Sequence, residues 1–185
     1  MVSKRHKLIL WVGKKHSGKT TNVANLAEVA RNEGFDVAGL LALSLYRDGR
    51  LIGFDAFDLR SKDRAPLARR QTNGCAVGPF TFLAAGLELG RTALRPESTS
   101  SADLIIVDEF GPWELDGGGW RTNVDELLAA GNGLVLLVVR DQLVSLVQRI
   151  YSHVPITTLA AGGADSIGRV IELLRSRHQA AREVR

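Results

Sequence analysis

Apolar residues in this chain gather into runs of strand length, separated by stretches with helical spacing. "KLILWV", "VAGLLALSL", "DLIIVDE", "GLVLLVV" and "VPITTL" are mostly continuous rather than alternating, the pattern of strands covered on both faces of a parallel sheet. Val23, Leu26, Ala27 and Ala30 fall at i, i+3, i+4 and i+7, as do Leu143, Leu146, Val147 and Ile150, and the group Ile167, Val170, Ile171 and Leu174. Each set makes one apolar stripe on a helix that can pack on a sheet. One region departs from this alternation. "LLALSLYRDGRLIGFDAFDL" reads as two strands joined at Asp48-Gly49, a pair suited to a tight hairpin turn. The basic stretch "RSKDRAPLARRQTNG" after it reads as a loop, as does "RPESTSS" at 95–101. The expected architecture is one α/β domain over residues 1–185: three layers, a mostly parallel sheet and an antiparallel hairpin insertion.

Within that frame one junction stands out. The run "KLILWV" passes directly into "GKKHSGKTT", which meets the G-x-x-x-x-G-K-[ST] spacing with Gly13, Gly18, Lys19 and Thr20. The spacing lets successive backbone N–H groups turn inward around phosphates, with glycine allowing close approach. Lys19 would neutralise β/γ oxygens, Thr20 would offer its hydroxyl to Mg²⁺, and the following helix would point its positive end at the same anion. A strand before and an amphipathic helix after supply the context that this motif requires. The candidate nucleotide contacts are Gly13, Lys14, Lys15, His16, Ser17, Gly18, Lys19, Thr20 and Thr21, together with Arg140 at the end of "GLVLLVV". The side chain of His16 reads as solvent-facing.

A phosphate loop calls for a carboxylate at the end of another buried strand, and "ADLIIVDEFG" supplies Asp108 and Glu109. Asp108 becomes the second candidate metal ligand beside Thr20. Glu109 becomes the candidate base for an attacking water, with Lys19 as the catalytic cation. Further candidate cations are Arg60, Lys62, Arg64, Arg69 and Arg70. Trp113 and Trp120 flank "ELDGGG", a glycine-rich segment expected to be flexible, and both read as packing residues, as do Phe80 and Phe82.

Composition and charge narrow the class. Apolar residues at 45% and charged residues at 24% are ordinary for a soluble globular domain. No run of about 18 apolar residues is present, so no membrane span is expected. The start "MVSKRHKLIL" resembles a signal peptide only superficially, since its apolar part runs into the glycine loop. The single cysteine, Cys75, can form no internal disulfide, which fits a reducing cytoplasm. Net charge is +4 and the pI near 9.6. The excess gathers in terminal segments with no interleaved aromatics, so a nucleic-acid partner is not expected.

These motifs together resemble the nucleoside-triphosphatase family of THEP type. The resemblance rests on "GKKHSGKTT", the hairpin with "APLAR" after it, "VGPFTF" at 77–82 and "DEFGPWEL" at 108–115. It implies a P-loop enzyme that hydrolyses nucleoside triphosphates with loose base selectivity, using ATP or GTP with Mg²⁺. Gly13 to Thr20 would hold phosphate, Asp108 the metal and Glu109 the catalytic water, with Glu114 a further carboxylate in the matching segment. Lys14-Lys15-His16 replaces the smaller loop residues common in the family, and Phe110 stands where Ile is commoner. The loop also resembles that of the molybdopterin-guanine dinucleotide biosynthesis adaptor, a GTP-binding protein. Lys14 falls where partitioning-type ATPases carry a lysine that reaches across a dimer. A homodimer or protein partner, an adaptor or switch role, and a small-molecule or nucleotide kinase stay open as alternatives. No Asn-Lys-x-Asp or Thr-Lys-x-Asp element for reading guanine is present, and "VVRDQ" lacks its lysine.

Overall fold

The computed structural model describes residues 7–70 and 79–183. Cys75 and the first part of "VGPFTF" lie outside the described residues. The strands are β1 (Leu8–Gly13), β2 (Val37–Arg47), β3 (Arg50–Asp58), β4 (Arg64–Arg70), β5 (Phe80–Phe82), β6 (Leu104–Val107), β7 (Leu134–Arg140) and β8 (Ile156–Ala160). The helices are α1 (Lys19–Asn32), α2 (Ala84–Ala93), α3 (Pro112–Leu115), α4 (Arg121–Ala130), α5 (Val144–Ile150) and α6 (Ser166–Arg182). All eight strands join one sheet in the order β5-β4-β3-β2-β6-β7-β1-β8. Pairings from β2 to β8 are parallel, and those among β2, β3, β4 and β5 are antiparallel.

The five apolar runs are the five parallel strands. Residues 134–139 of β7 and all of β6 are buried, as continuous hydrophobic runs require when helices cover both faces. Their side chains divide between two cores. Ile9, Trp11, Leu104, Ile106, Leu136 and Val138 meet Val23, Leu26 and Ala27 of α1 and Val170, Ile171 and Leu174 of α6. Leu8, Leu10, Ile105, Val107, Val135 and Leu137 meet Val124, Leu127 and Leu128 of α4 and Val147 of α5 on the other face. The predicted stripe over 143–150 is only partly realised. The helix proper starts at Val144 after a 3₁₀ turn, and Leu146 is exposed while Val147 is buried.

The antiparallel part is larger than an inserted hairpin, because it continues the main sheet. Asp48 and Gly49 both take positive φ, the geometry of the tight turn expected there. Within the basic stretch expected to be a loop, Arg64–Arg70 form β4, and the last residues of the stretch, 71–74, lie outside the described residues. Arg64 and Arg69 both pair with the carboxylate of Asp55 at 2.7 Å, while Leu67 and Ala68 are buried. Pro66 sits opposite Asp55 where the register shifts, so its missing N–H falls at an irregularity in the ladder. Among the described residues, no helix is long and apolar enough to cross a membrane.

Strand lengths position the site. β6 ends opposite Leu40, but β2 runs on to Arg47 and pairs with β3 alone. The hairpin therefore stands about 20 Å beyond the carboxyl edge of the parallel strands, counting roughly 3.3 Å per residue, and walls one side of the ends of β6, β7 and β1. Gly39 makes this junction. It has φ of 115°, and a β-carbon there would overlap the backbone of Ile106. Gly39→Ala should cost about 2–5 kcal/mol, from close-packing clash and backbone strain together. Denaturant unfolding checks this, and a loss below about 1 kcal/mol would contradict the close β2–β6 approach.

Candidate functional site

The carboxyl ends of β1, β7 and β6 lie side by side, with Gly13 in register with Arg140 and Val107 with Leu137. From the end of β1 the chain makes an exposed loop, Lys14 to Gly18, and enters α1 at Lys19. His16 and Gly18 take positive φ, 60° and 75°, and Ser17 N–H donates to the Lys14 carbonyl at 3.2 Å. The Lys19 side chain is buried and folds back, its Nζ donating to the same carbonyl at 2.8 Å. Gly13 makes that path available. A β-carbon there would stand 3.1 Å from Lys19 Cγ and 2.7 Å from Ser17 Oγ. The first turn of α1 has neither a capping side chain nor an acidic residue. Its leading N–H groups, with the positive end of the helix dipole, face the loop unopposed. Such an arrangement binds phosphate.

Asp108 lies across from this turn and is 2% exposed. Its carboxylate accepts the Thr20 hydroxyl and, at 3.3 Å, the Ala42 N–H of β2. Burial pushes its pKa up to about 7, the nearby Glu109 charge adds to the rise, and Thr20, Ala42 and Lys19 pull it down. Thr20 and Asp108, the two candidate metal ligands, are therefore hydrogen-bonded to each other. Among the described residues no cluster of three His, Cys, Asp or Glu side chains could hold a metal by itself. A donor set of one hydroxyl and one carboxylate suits Mg²⁺, which binds through one or two carboxylates plus substrate phosphates. A cation would also meet the charge that burial leaves poorly compensated at Asp108.

Past Asp108 the chain crosses from β2 toward β7. Asp108 N–H bonds Leu40 O at 3.0 Å, and Phe110 N–H bonds Val138 O at 2.9 Å. Glu109 bridges the two, and its Oε1 accepts Arg140 Nε at 2.5 Å. The candidate base and a candidate phosphate cation are thus ion-paired, both partly exposed. Neither spacing nor periodicity signals this pair, because β7 comes beside the end of β6 only through the sheet order.

Glu114 serves the turn that follows. It is buried, and its Oε2 accepts Gly111 N–H at 2.9 Å while Oε1 accepts Trp120 N–H at 3.3 Å. Burial raises its pKa to about 7, with the Glu109 charge adding to the rise. The glycine-rich segment is correspondingly packed rather than open. A β-carbon at Gly118 would strike Trp113, and one at Gly119 would strike Glu114. Trp120 is buried in the core against Gly90. Trp113 packs on Phe82 with ring centres 4.4 Å apart. The other candidate cations are engaged along the antiparallel strands. Arg60 pairs with Asp36, Arg64 and Arg69 with Asp55, and Lys62 and Arg70 lie over Phe57 and Phe80. Lys14, Lys15, His16 and Thr21 are exposed around the loop.

A three-layer α/β sheet with a glycine loop between its first strand and helix defines the P-loop NTPase class of fold. Its residues 8–171 match the NTPase family, and the chain belongs to that family. Nucleoside-triphosphatase THEP1 of Methanothermobacter thermautotrophicus is 34% identical over 142 residues, covering 76% of this chain and 81% of that protein. Its namesake in Methanosarcina acetivorans is 27% identical over 152 residues, covering 81% and 86%. The solution structure of a human cancer-related nucleoside triphosphatase shares the fold with TM-score 0.67 at 24% identity, covering 98% of this chain and 99% of that one. THEP1 from Aquifex aeolicus gives the same TM-score, 0.67, at 18% identity, covering 90% and 98%.

The buried carboxyl of Asp108 has a sign-definite effect on stability. An ordinary aspartate titrates near 3.8 and this one near 7, so between those values the folded chain holds more protons than the unfolded one. Its contribution is fully present below about pH 4 and is lost as pH rises through 7. Asp108→Asn, which cannot ionise, should exceed the ligand-free wild type in stability at pH 8 by about 4 kcal/mol, the free energy of a rise in pKa from 3.8 to about 7. The advantage should shrink toward pH 4. Unfolding curves at the two pH values test this, and a pH-independent difference would refute it.

Proposed function

We propose that this NTPase-family chain hydrolyses the terminal phosphate of nucleoside triphosphates in a Mg²⁺-dependent reaction with loose base selectivity, accepting ATP and GTP alike. The observation that carries the reading is the grouping of Thr20, buried Asp108 and Glu109 across from the phosphate loop. The loop from Gly13 to Thr21 would enclose the phosphates. Its amides and Lys19 would stabilise charge on the transferring group, and Arg140 would add a cation beside Gly13. Thr20 and Asp108 would hold Mg²⁺, which would supply positive charge to the phosphate. Glu109, beyond the strand end, would orient the attacking water and take its proton. The base selectivity follows from "VVRDQ": Arg140 leads into a 3₁₀ turn, with no lysine stem to pack on a guanine.

Purified protein with Mg²⁺ should release phosphate from ATP, GTP, CTP and UTP at rates within about tenfold of one another, as expected where the base is not read by hydrogen bonds. Turnover that waits for an added acceptor or a partner protein would replace hydrolysis with the kinase or switch reading. Glu109→Gln should slow release by about 10²–10³-fold, the range of a lost general base, while triphosphate binding persists. Unchanged turnover would remove Glu109 from that role. Lys19→Ala should weaken nucleotide binding itself, and normal binding in that variant would sink the phosphate-loop assignment.

A further inference from the structure

Arg140 has one charge and two claimants. Its Cα is in register with Gly13, at the mouth of the phosphate loop, yet its guanidinium is turned to Glu109. The contact uses Nε alone, and among the described residues no hydrogen bond engages the two terminal nitrogens. The pair is about one-third exposed on each side, 27% for Arg140 and 31% for Glu109. Water screens such pairs, so it holds only weakly. A triphosphate seated in the loop brings several negative charges to the same place and outcompetes one carboxylate.

We propose that Arg140 is a γ-phosphate sensor that exchanges partners, holding Glu109 until a terminal phosphate arrives and releasing it then. This rests on the phosphate loop as the nucleotide site and concerns how the site tells triphosphate from diphosphate. While the guanidinium occupies Glu109, its carboxylate is not offered to water. With a terminal phosphate in place, Arg140 turns to the phosphate oxygens and Glu109 becomes free. A diphosphate leaves the pair closed, so the same device favours triphosphate and separates the two states of the site. The ion pair is then part of the cost of triphosphate binding, and breaking it beforehand removes that cost.

A binding cycle measures this without turnover, and so independently of whether Glu109 is the base. The ligands are a Mg²⁺ complex of a β,γ-imido nucleoside triphosphate and the matching diphosphate, titrated calorimetrically into wild type, Glu109→Gln, Arg140→Met and the double variant. Glu109→Gln should tighten the triphosphate analogue about two- to fivefold, the range set by a partly exposed pair. The gain should vanish in the Arg140→Met background and stay absent with diphosphate. Arg140→Lys, which keeps the charge, should retain part of it and guards against a folding defect in the methionine variant. Tightening that persists in the Arg140→Met background, as plain relief of repulsion by Glu109 would give, overturns the exchange. So does tightening equal for diphosphate, or none at all. Loss of binding in all four proteins would instead fault the phosphate-loop assignment itself.

Discussion

The carboxylate of Asp108 ties together three parts of the chain that are remote in sequence. It accepts the Thr20 hydroxyl from the first turn of α1 and the Ala42 amide from β2, and it ends the apolar strand β6. Almost no solvent reaches it, and the positive charge acting on it comes from Lys19. A buried carboxylate without a full counter-charge is costly to the fold, and its pKa rises accordingly. The buried carboxylate is therefore where a metal cation would be drawn, and a triphosphate would approach it only together with that cation. The remaining features of the site are arranged around that point: loop amides on one side, the β2–β3 wall on another, and the Glu109–Arg140 pair above.

The same arrangement explains why the segment after β6 is so closely packed. Leu40 and Val138 fix the backbone on either side of Glu109, and Glu114 closes the turn beyond it by accepting two amides. Phe110 and Trp120 anchor this segment in the core. Glu109 therefore projects from a constrained strand end, a better platform for a positioned carboxylate than a mobile loop. Its freedom is in the side chain, and Arg140 takes that up.

Much of the fold is legible in the sequence because burial writes continuous apolar runs, as in β1, β6, β7 and the first half of β2, while β8, at the sheet edge, is only partly buried and its run carries two threonines. The phosphate loop is legible for a different reason: its spacing is local, and strand and helix flank it. β4 is hidden because its arginines look like loop composition until Asp55 from the neighbouring strand neutralises two of them. Leu146 fits a helical stripe by count, but a 3₁₀ turn precedes the helix and that side chain faces water. The glycines at 117–119 suggest flexibility, whereas two of them make room for Trp113 and Glu114. At the site, Thr20, Asp108 and Glu109 are each readable from motif positions. Their partners are not. Ala42 contributes a backbone amide, and Arg140 reaches Glu109 only because β7 lies between β6 and β1.

In the proposed site Asp108 is buried with its pKa raised to about 7 by that burial, and a cation arriving with phosphate would favour its ionised form. Proton uptake or release on binding measures this directly, by calorimetry of a Mg²⁺-bound non-hydrolysable triphosphate at pH 7 in buffers of different ionisation enthalpy. A carboxyl titrating near 7 that becomes fully ionised should release about half a proton per nucleotide bound. The wild type should therefore release about that much more than Asp108→Asn. Equal proton stoichiometry in the two proteins would contradict the account.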